Sequence, residues 1–224
     1  MASLSPTALA SNFVDRVIHD LPVDDHRALF RALAAEALDA ALDTPAKQLS
    51  FWINVYNGHA QYFLKTDPSL YQRKRSAFFG KEQIEVAGYR VSMEEIEHGV
   101  LRRGATIWSF GYVRLLFLRS EFARRFAVDE VDYRIHFALN CGAKSCPPVM
   151  AYQAATAEEQ LDTNSRIYLQ AEANYDPKQG VVWTPALLSW FSADFGGSDK
   201  AKIRLMKRHG LLPADAKPRI KYLK

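Results

Sequence analysis

Two cysteines and a histidine fall within one short stretch, Arg134-Ile-His-Phe-Ala-Leu-Asn-Cys-Gly-Ala-Lys-Ser-Cys-Pro-Pro148, and those are the only cysteines among 224 residues. A cysteine attacks as its thiolate, which a nearby histidine, a cationic neighbour or a helix N-terminus can stabilise. Cys146 has a candidate for each: His136 upstream, Lys144 two residues away, and a turn of helix that could begin at Pro147. The chemistry this predicts is acyl transfer or amide and peptide hydrolysis, with Cys146 as nucleophile and His136 as its base. Asn54, Asn57 or Gln61 could donate to an oxyanion, and Glu97 or Asn140 could orient the imidazole. Lys144, Asn140 and Gln61 are the polar side chains expected to hold a small-molecule or peptide substrate.

The same residues admit other chemistry. Zinc needs four ligands, and His136, Cys141 and Cys146 supply three; His98, Glu97 or water would have to be the fourth. The C-x4-C spacing lacks the usual C-x2-C knuckle, so no metal or other cofactor is expected. A reversible disulfide is a further option, although the C-x-x-C redox pattern is absent. In a purely structural reading Cys141 is a small buried hydrophobe, His136 a satisfied strand residue and Lys144 an exposed charge, and the chain is an interaction module for a peptide or protein partner. Cys141 replaces Cys146 as the preferred nucleophile if Cys146 is buried.

These residues need elements to position them. Ile135, Phe137 and Leu139 alternate with His136, Ala138 and Asn140, which predicts a half-buried strand over 134–139 ending in a turn at Gly142. A helix over about 45–64, capped by Thr44 with Pro45 in its first turn, is apolar around most of its circumference. Its stripe of Ser50, Asn54, Asn57, Gly58 and Gln61 must either hydrogen-bond a neighbouring segment or line a wet cleft, because unpaired buried amides cost about 1–3 kcal/mol. His59 lies outside that stripe, where a structural histidine is expected. Helices are also predicted over 7–19, 24–42, 112–126, 185–191 and 199–209. Ser92 with Glu95 and Thr156 with Glu159 are capping-box patterns opening helices to about 102 and 173. Residues 83–86 and 89–91 flank Ala87-Gly88 as a hairpin, and Gly180 to Trp183 reads as a short strand.

Composition sets the frame: 48% hydrophobic and 24% charged residues make an ordinary globular chain. The expected fold is α+β: a single helix-rich domain with a small antiparallel sheet, residues 1–44 packing as a helical segment on a main body of 45–224. A net charge of +4 gives no specific nucleic-acid signal. The basic stretch from Lys200 to Lys224 reads as a solvated tail. No run is long enough to span a bilayer and no leader pattern opens the chain, so a soluble, cytoplasmic protein is expected.

Three of these stretches also carry a resemblance. Phe51-Trp-Ile-Asn-Val-Tyr-Asn57, Ile96-Glu-His-Gly-Val-Leu-Arg102 and Arg134 to Pro148, with Trp190-Phe-Ser-Ala-Asp-Phe195 near the end, resemble the domain of unknown function 547 family from about residue 45 to 197. The resemblance implies no activity, since the family is defined without one. Its motif positions fall on Asn54, Asn57, Glu97, His98, Arg102, His136, Cys141, Lys144 and Cys146, which adds Arg102 to the expected substrate ligands. The family's Asp-Pro-Arg becomes Asp132-Tyr133-Arg134 here. In residue types the Cys and His also resemble papain- and transglutaminase-like enzymes, but there the cysteine precedes the histidine and here His136 comes first.

Overall fold

The structure, a computed structural model, describes residues 4–115, 120–143, 146 and 148–223. Three helices, α1 (Pro6–Ile18), α2 (Asp24–Ala32) and α3 (Ala35–Ala41), lead into the long α4 (Pro45–Thr66). The Thr44 hydroxyl accepts from the Lys47 amide, and Pro45 takes a first-turn position where a missing N–H costs nothing. Every residue from Leu49 to Ala60 is buried, as the apolar circumference requires. Gly58 lets α1 come close: a β-carbon there would lie 2.5 Å from the Phe13 ring. The single helix expected over 24–42 is two helices, broken where Leu33 and Ala34 turn extended. The Phe30 carbonyl accepts from the Ala87 amide at 2.9 Å, so the hairpin takes up an acceptor at the break.

Two short helices, α5 (Pro68–Arg73) and α6 (Arg75–Gly80), precede the hairpin of β1 (Ile84–Val86) and β2 (Tyr89–Val91). Its turn residues Ala87 and Gly88 both have positive φ, the geometry that matches strand twist in a two-residue loop. The Ser92 hydroxyl then accepts from the Glu95 amide and opens a helix that runs in π register over Glu95–Leu101. Of the helix expected over 112–126, residues 116–119 lie outside the described residues, Glu121–Phe126 forms α7 with Ser120 as its cap, and residues 104–115 close on themselves instead, Leu115 donating to Gly104 and Thr106 to Val113.

The strand expected over 134–139 is a 3-10 helix, Tyr133–Phe137. Asp132 caps it by accepting from the Arg134 amide, and Ala138 and Leu139 both donate to the Ile135 carbonyl. The apolar alternation has another cause. Ile135 belongs to the main core with Phe13, Phe30, Trp52 and Ile96, whereas Phe137 belongs to a second core with Leu169, Val182, Leu188, Phe195 and Met206. A segment buried on two sides imitates a strand without any partner to pair with. Tyr133 does not loosen it, since its hydroxyl meets His209 Nε2 at 2.8 Å.

The second core is built by α8 (Ala157–Glu172), β3 (Asn174–Asp176), β4 (Val181–Thr184), α9 (Leu187–Trp190), α10 (Asp199–Arg208) and β5 (Arg219–Tyr222). Thr156 precedes α8 without capping it; its hydroxyl donates to Gln160. The strand order is β3-β4-β5, the first pair antiparallel and the second parallel. The supposed basic tail is therefore partly a strand, with Arg219 and Lys221 on its exposed side and Ile220 and Tyr222 packed against the second core. The fold is helix-rich α+β with small sheets.

Candidate functional site

The cysteines sit on a loop that α4 holds by its two asparagines. Asn57 donates to the Ala138 carbonyl at 2.9 Å and accepts from the Asn140 amide at 2.8 Å, pairing with backbone as a strand edge would. Asn54 does the same at the far end of the loop, donating to the Tyr152 carbonyl at 2.7 Å and accepting from its amide at 2.9 Å. Between these clamps the Asn140 carboxamide oxygen accepts from the Gly142 amide and from Gln61. The Cys146 amide then donates to the Ala143 carbonyl at 3.0 Å, and the turn brings the Cys141 and Cys146 sulfurs to 3.2 Å, both thiols free and partly exposed.

Two sulfurs that close share one proton more easily than they release two. The hydrogen bond with Cys146 pushes the Cys141 thiol down to about 6; the Ala143 backbone and the Arg75 charge add to this, while burial and Glu97 oppose it. Cys146 moves up, first through that same hydrogen bond and then through burial. The shifts run opposite to the expected order of the two thiols, Cys141 down and Cys146 up.

His136 is held from behind. Its Nε2 donates to Asp194 Oδ2 at 2.9 Å, which makes Nδ1 the basic nitrogen of the neutral ring. The ring stacks on Phe191 at 4.1 Å and 18°. Burial lowers its pKa more than Asp194 raises it, so the ring is neutral near pH 7. Asp194 receives a second bond, from Arg102 Nε at 2.6 Å, and both side chains of this ion pair are fully buried. Burial alone would raise the Asp194 carboxyl, but His136 and Arg102 outweigh it and hold it low. Gly111, at φ 86°, covers the pair; a β-carbon there would lie 2.9 Å from Arg102 Nη2 and 3.1 Å from Asp194 Oδ1.

The π register explains how one helix serves both sides of this arrangement. The Arg102 amide donates to Glu97 at 2.8 Å and the Gly104 amide to His98 at 2.7 Å, one and two residues longer than α spacing. Glu97 lines the cavity, whereas Arg102 turns behind it, where its Nη1 donates to His98 Nδ1 at 2.9 Å. The cavity, about 450 Å³, is lined by the polar groups of Cys141, Cys146, His136, Glu97, Glu172, Tyr56 and Arg75 and by the apolar side chains of Leu139, Tyr168, Leu187, Trp190, Phe191 and Leu223.

The predicted site residues thus divide. Cys146, His136 and Glu97 meet at one cavity, with Cys141. Asn54 and Asn57 are fully buried, and their carboxamides are committed to backbone, so the oxyanion role expected of them does not fit. Gln61 and Asn140 bond each other and shape the loop, and neither lines the cavity. Arg102 is fully buried against Asp194 and does not reach a substrate. The imidazole is oriented by Asp194, not by Glu97 or Asn140. Lys144 lies outside the described residues. Asp194, Phe191 and Tyr56 went unassigned in the sequence. Asp194 and Phe191 do lie in the Trp190 to Phe195 stretch that carried part of the resemblance, and that was their only signal. Among the described residues no group of three or more His, Cys, Asp or Glu side chains is arranged to hold a metal ion, and no helix is long and apolar enough to cross a membrane.

The profile of the family described as "Protein of unknown function, DUF547" matches residues 40–169, more than half of the chain, and the chain belongs to that family. The matched span contains the cysteine loop, α4 and the π-helix, while Asp194 and Phe191 lie beyond it. No curated protein and no solved structure matches the chain.

Proposed function

We propose that this protein is a thiol-dependent acyltransferase or hydrolase in which Cys141 is the nucleophile and the Asp194-oriented His136 is the base. The observation that carries the reading is the 3.2 Å approach of the Cys141 and Cys146 sulfurs in the wall that also holds His136. The Cys141 thiolate adds to the acyl carbonyl; the leaving group departs as the tetrahedral intermediate collapses to an acyl-cysteine. His136 Nδ1 then takes the proton of water or another acceptor as it attacks, the Cys141 thiolate leaves, and His136 returns its proton to solvent. Because His136 meets the substrate unprotonated near pH 7, the first step suits groups that leave as anions, such as a thiolate, ahead of amines that must be protonated. Free thiols suit a reducing compartment such as the cytoplasm.

The test is to mix the protein with a small acyl thioester, quench in acid and map the adduct by mass spectrometry. An acyl group on Cys141, absent from Cys141→Ser, is the expected result. His136→Ala should still acylate but release the group about 100-fold more slowly or worse. An adduct on Cys146, or none, contradicts the reading. One feature favours an interaction module instead: Ile107, Trp108, Phe110 and Tyr112 stand exposed on the 104–115 loop, Trp108 at 71%. On that reading Trp108→Ala abolishes peptide or protein binding and Cys141→Ser leaves it intact.

A further inference from the structure

We infer that Cys141 and Cys146 carry a second activity, reduction of a zwitterionic peptide disulfide, with Cys141 as the attacking thiol and Cys146 as the resolving one. It rests on the same Cys141 thiolate as the acyl-transfer reading but uses a feature that reading leaves unexplained. Acyl transfer asks only for a hydrogen-bond donor beside Cys141, and a serine hydroxyl would serve. The chain instead places its only other cysteine there, 3.2 Å away, on the same short turn closed by the Cys146 amide and the Ala143 carbonyl. Both sulfurs are partly exposed in the wall of one cavity, so a substrate disulfide can reach the first and the second can reach the product.

The asymmetry of the pair supplies the order of events. The 3.2 Å contact lets the two sulfurs share one proton, so one thiolate attacks first; the hydrogen bond lowers Cys141 and raises Cys146, which gives the first attack to Cys141. The Cys141 thiolate attacks one sulfur of R–S–S–R; that bond breaks, one RS⁻ leaves and takes a proton, and a mixed disulfide remains on Cys141. Attack then removes the negative charge that held the Cys146 proton. Cys146 loses that proton to solvent, its thiolate attacks Cys141 Sγ, and the second RS⁻ departs and is protonated. The dithiol has lost two electrons and two protons, and the substrate has become two thiols.

The cavity walls suit a substrate carrying both charges. Arg75, which also donates to the Tyr71 hydroxyl, offers a cation to a carboxylate, and Glu97 and Glu172 offer anions to an amino group. The apolar wall of Leu139, Tyr168, Leu187 and Trp190 can cover the body of the peptide.

Glutathione disulfide is the probe. The reduced full-length protein is mixed with it, quenched in acid at intervals, and analysed intact and after digestion. Wild type should end as an intramolecular Cys141–Cys146 disulfide, two glutathiones released per chain, with the mixed disulfide only transient. Cys146→Ser should accumulate the mixed disulfide on Cys141, and Cys141→Ser should react at least about tenfold more slowly. Circular dichroism of both variants checks the fold, and Cys146→Ala gives the same stalled adduct if serine perturbs the turn. A wild type that stops at a stable mixed disulfide, or that reacts first at Cys146, overturns the inference. Parallel thioester labelling separates the two proposals: a protein that closes its disulfide but never acylates loses only the acyl-transfer reading, and one that acylates but never closes loses only this one.

Discussion

His59 and His136 are both buried, both packed on phenylalanine rings, and both lowered in pKa chiefly by burial, yet they stand in different chemical settings. His59 Nδ1 donates to the Val55 carbonyl one turn back, at 2.8 Å, inside a box of Phe13, Phe30 and Phe63. Its pKa falls to about 4. His136 has a carboxylate behind it, an arginine behind that, and two sulfurs in the lining of the same cavity. Burial therefore does not make a histidine functional. Each ring lines a cavity, so what separates the two is the group that holds the ring: a buried carboxylate for His136 and a helix carbonyl for His59. His59 fills volume, and His136 can receive a proton on one side while Asp194 steadies the other.

The largest way to break this contrast is at the charge behind His136. Asp194→Ala leaves Arg102 buried without its anion and should destabilise the protein by about 3–5 kcal/mol in urea unfolding at pH 7. A loss below 1 kcal/mol would mean that the pair is not the buried support described above.

Acid comes next. The unfolded chain protonates His59 near its ordinary value of 6.5, whereas the folded chain resists until about 4, so the unfolded state binds more protons between those values. Stability is full above pH 6.5 and is lost as pH falls toward 4, by on the order of 3 kcal/mol from His59 alone. His136 adds loss of the same sign, because its folded pKa is also lowered. In His59→Leu the denaturation curves at pH 7 and pH 4.5 should move closer together, leaving the loss that comes from His136 and the remaining groups. An unchanged slope would show that His59 is not the group responsible.

The two asparagines sharpen the comparison from the loop side. Asn54→Ala and Asn57→Ala each strand a buried backbone amide and carbonyl and should cost about 1–3 kcal/mol. Only Asn57 holds the residues immediately before Cys141, so only Asn57→Ala should also alter Cys141 alkylation. Equal effects on alkylation would remove the clamp argument. The smallest expected change is at Glu97. Its charge opposes the Cys141 thiolate, so Glu97→Gln should move the Cys141 titration lower by less than about one unit. A rise would reverse the sign of the electrostatics described above.

What could be read from the chain, and what could not, follows the range of the interactions. The start of α4, the Ala87-Gly88 hairpin and α10 are legible because caps, turn residues and period are local signals, whereas the capping box read at Thr156 does not form before α8. The stripe of Asn54, Asn57 and Gln61 was legible as a demand for partners, and the partners proved to be backbone and loop rather than substrate. The 134–139 segment was misread because two cores bury it from both sides, and period alone cannot tell that from a strand. β5 was hidden by its charge, since an edge strand with Arg219 and Lys221 outward looks like a solvated tail. Asp194 is 58 residues from His136 in a turn with no periodicity, so no local rule could bring it to the imidazole. Which of Cys141 and Cys146 is the lower thiol depends on how their sulfurs meet, a property of the folded turn and not of C-x4-C spacing.

The central claim is that Cys141, supported by Cys146, is the thiolate of this cavity. The most direct test is the rate of iodoacetamide alkylation at each cysteine across pH, read residue by residue by mass spectrometry in wild type and in Cys146→Ala. Cys141 should titrate near pH 6 and shift upward when Cys146 loses its sulfur, while Cys146 in wild type stays slow well above pH 8. Equal profiles at both cysteines near the ordinary thiol value of about 8.5, or faster labelling of Cys146, would contradict it.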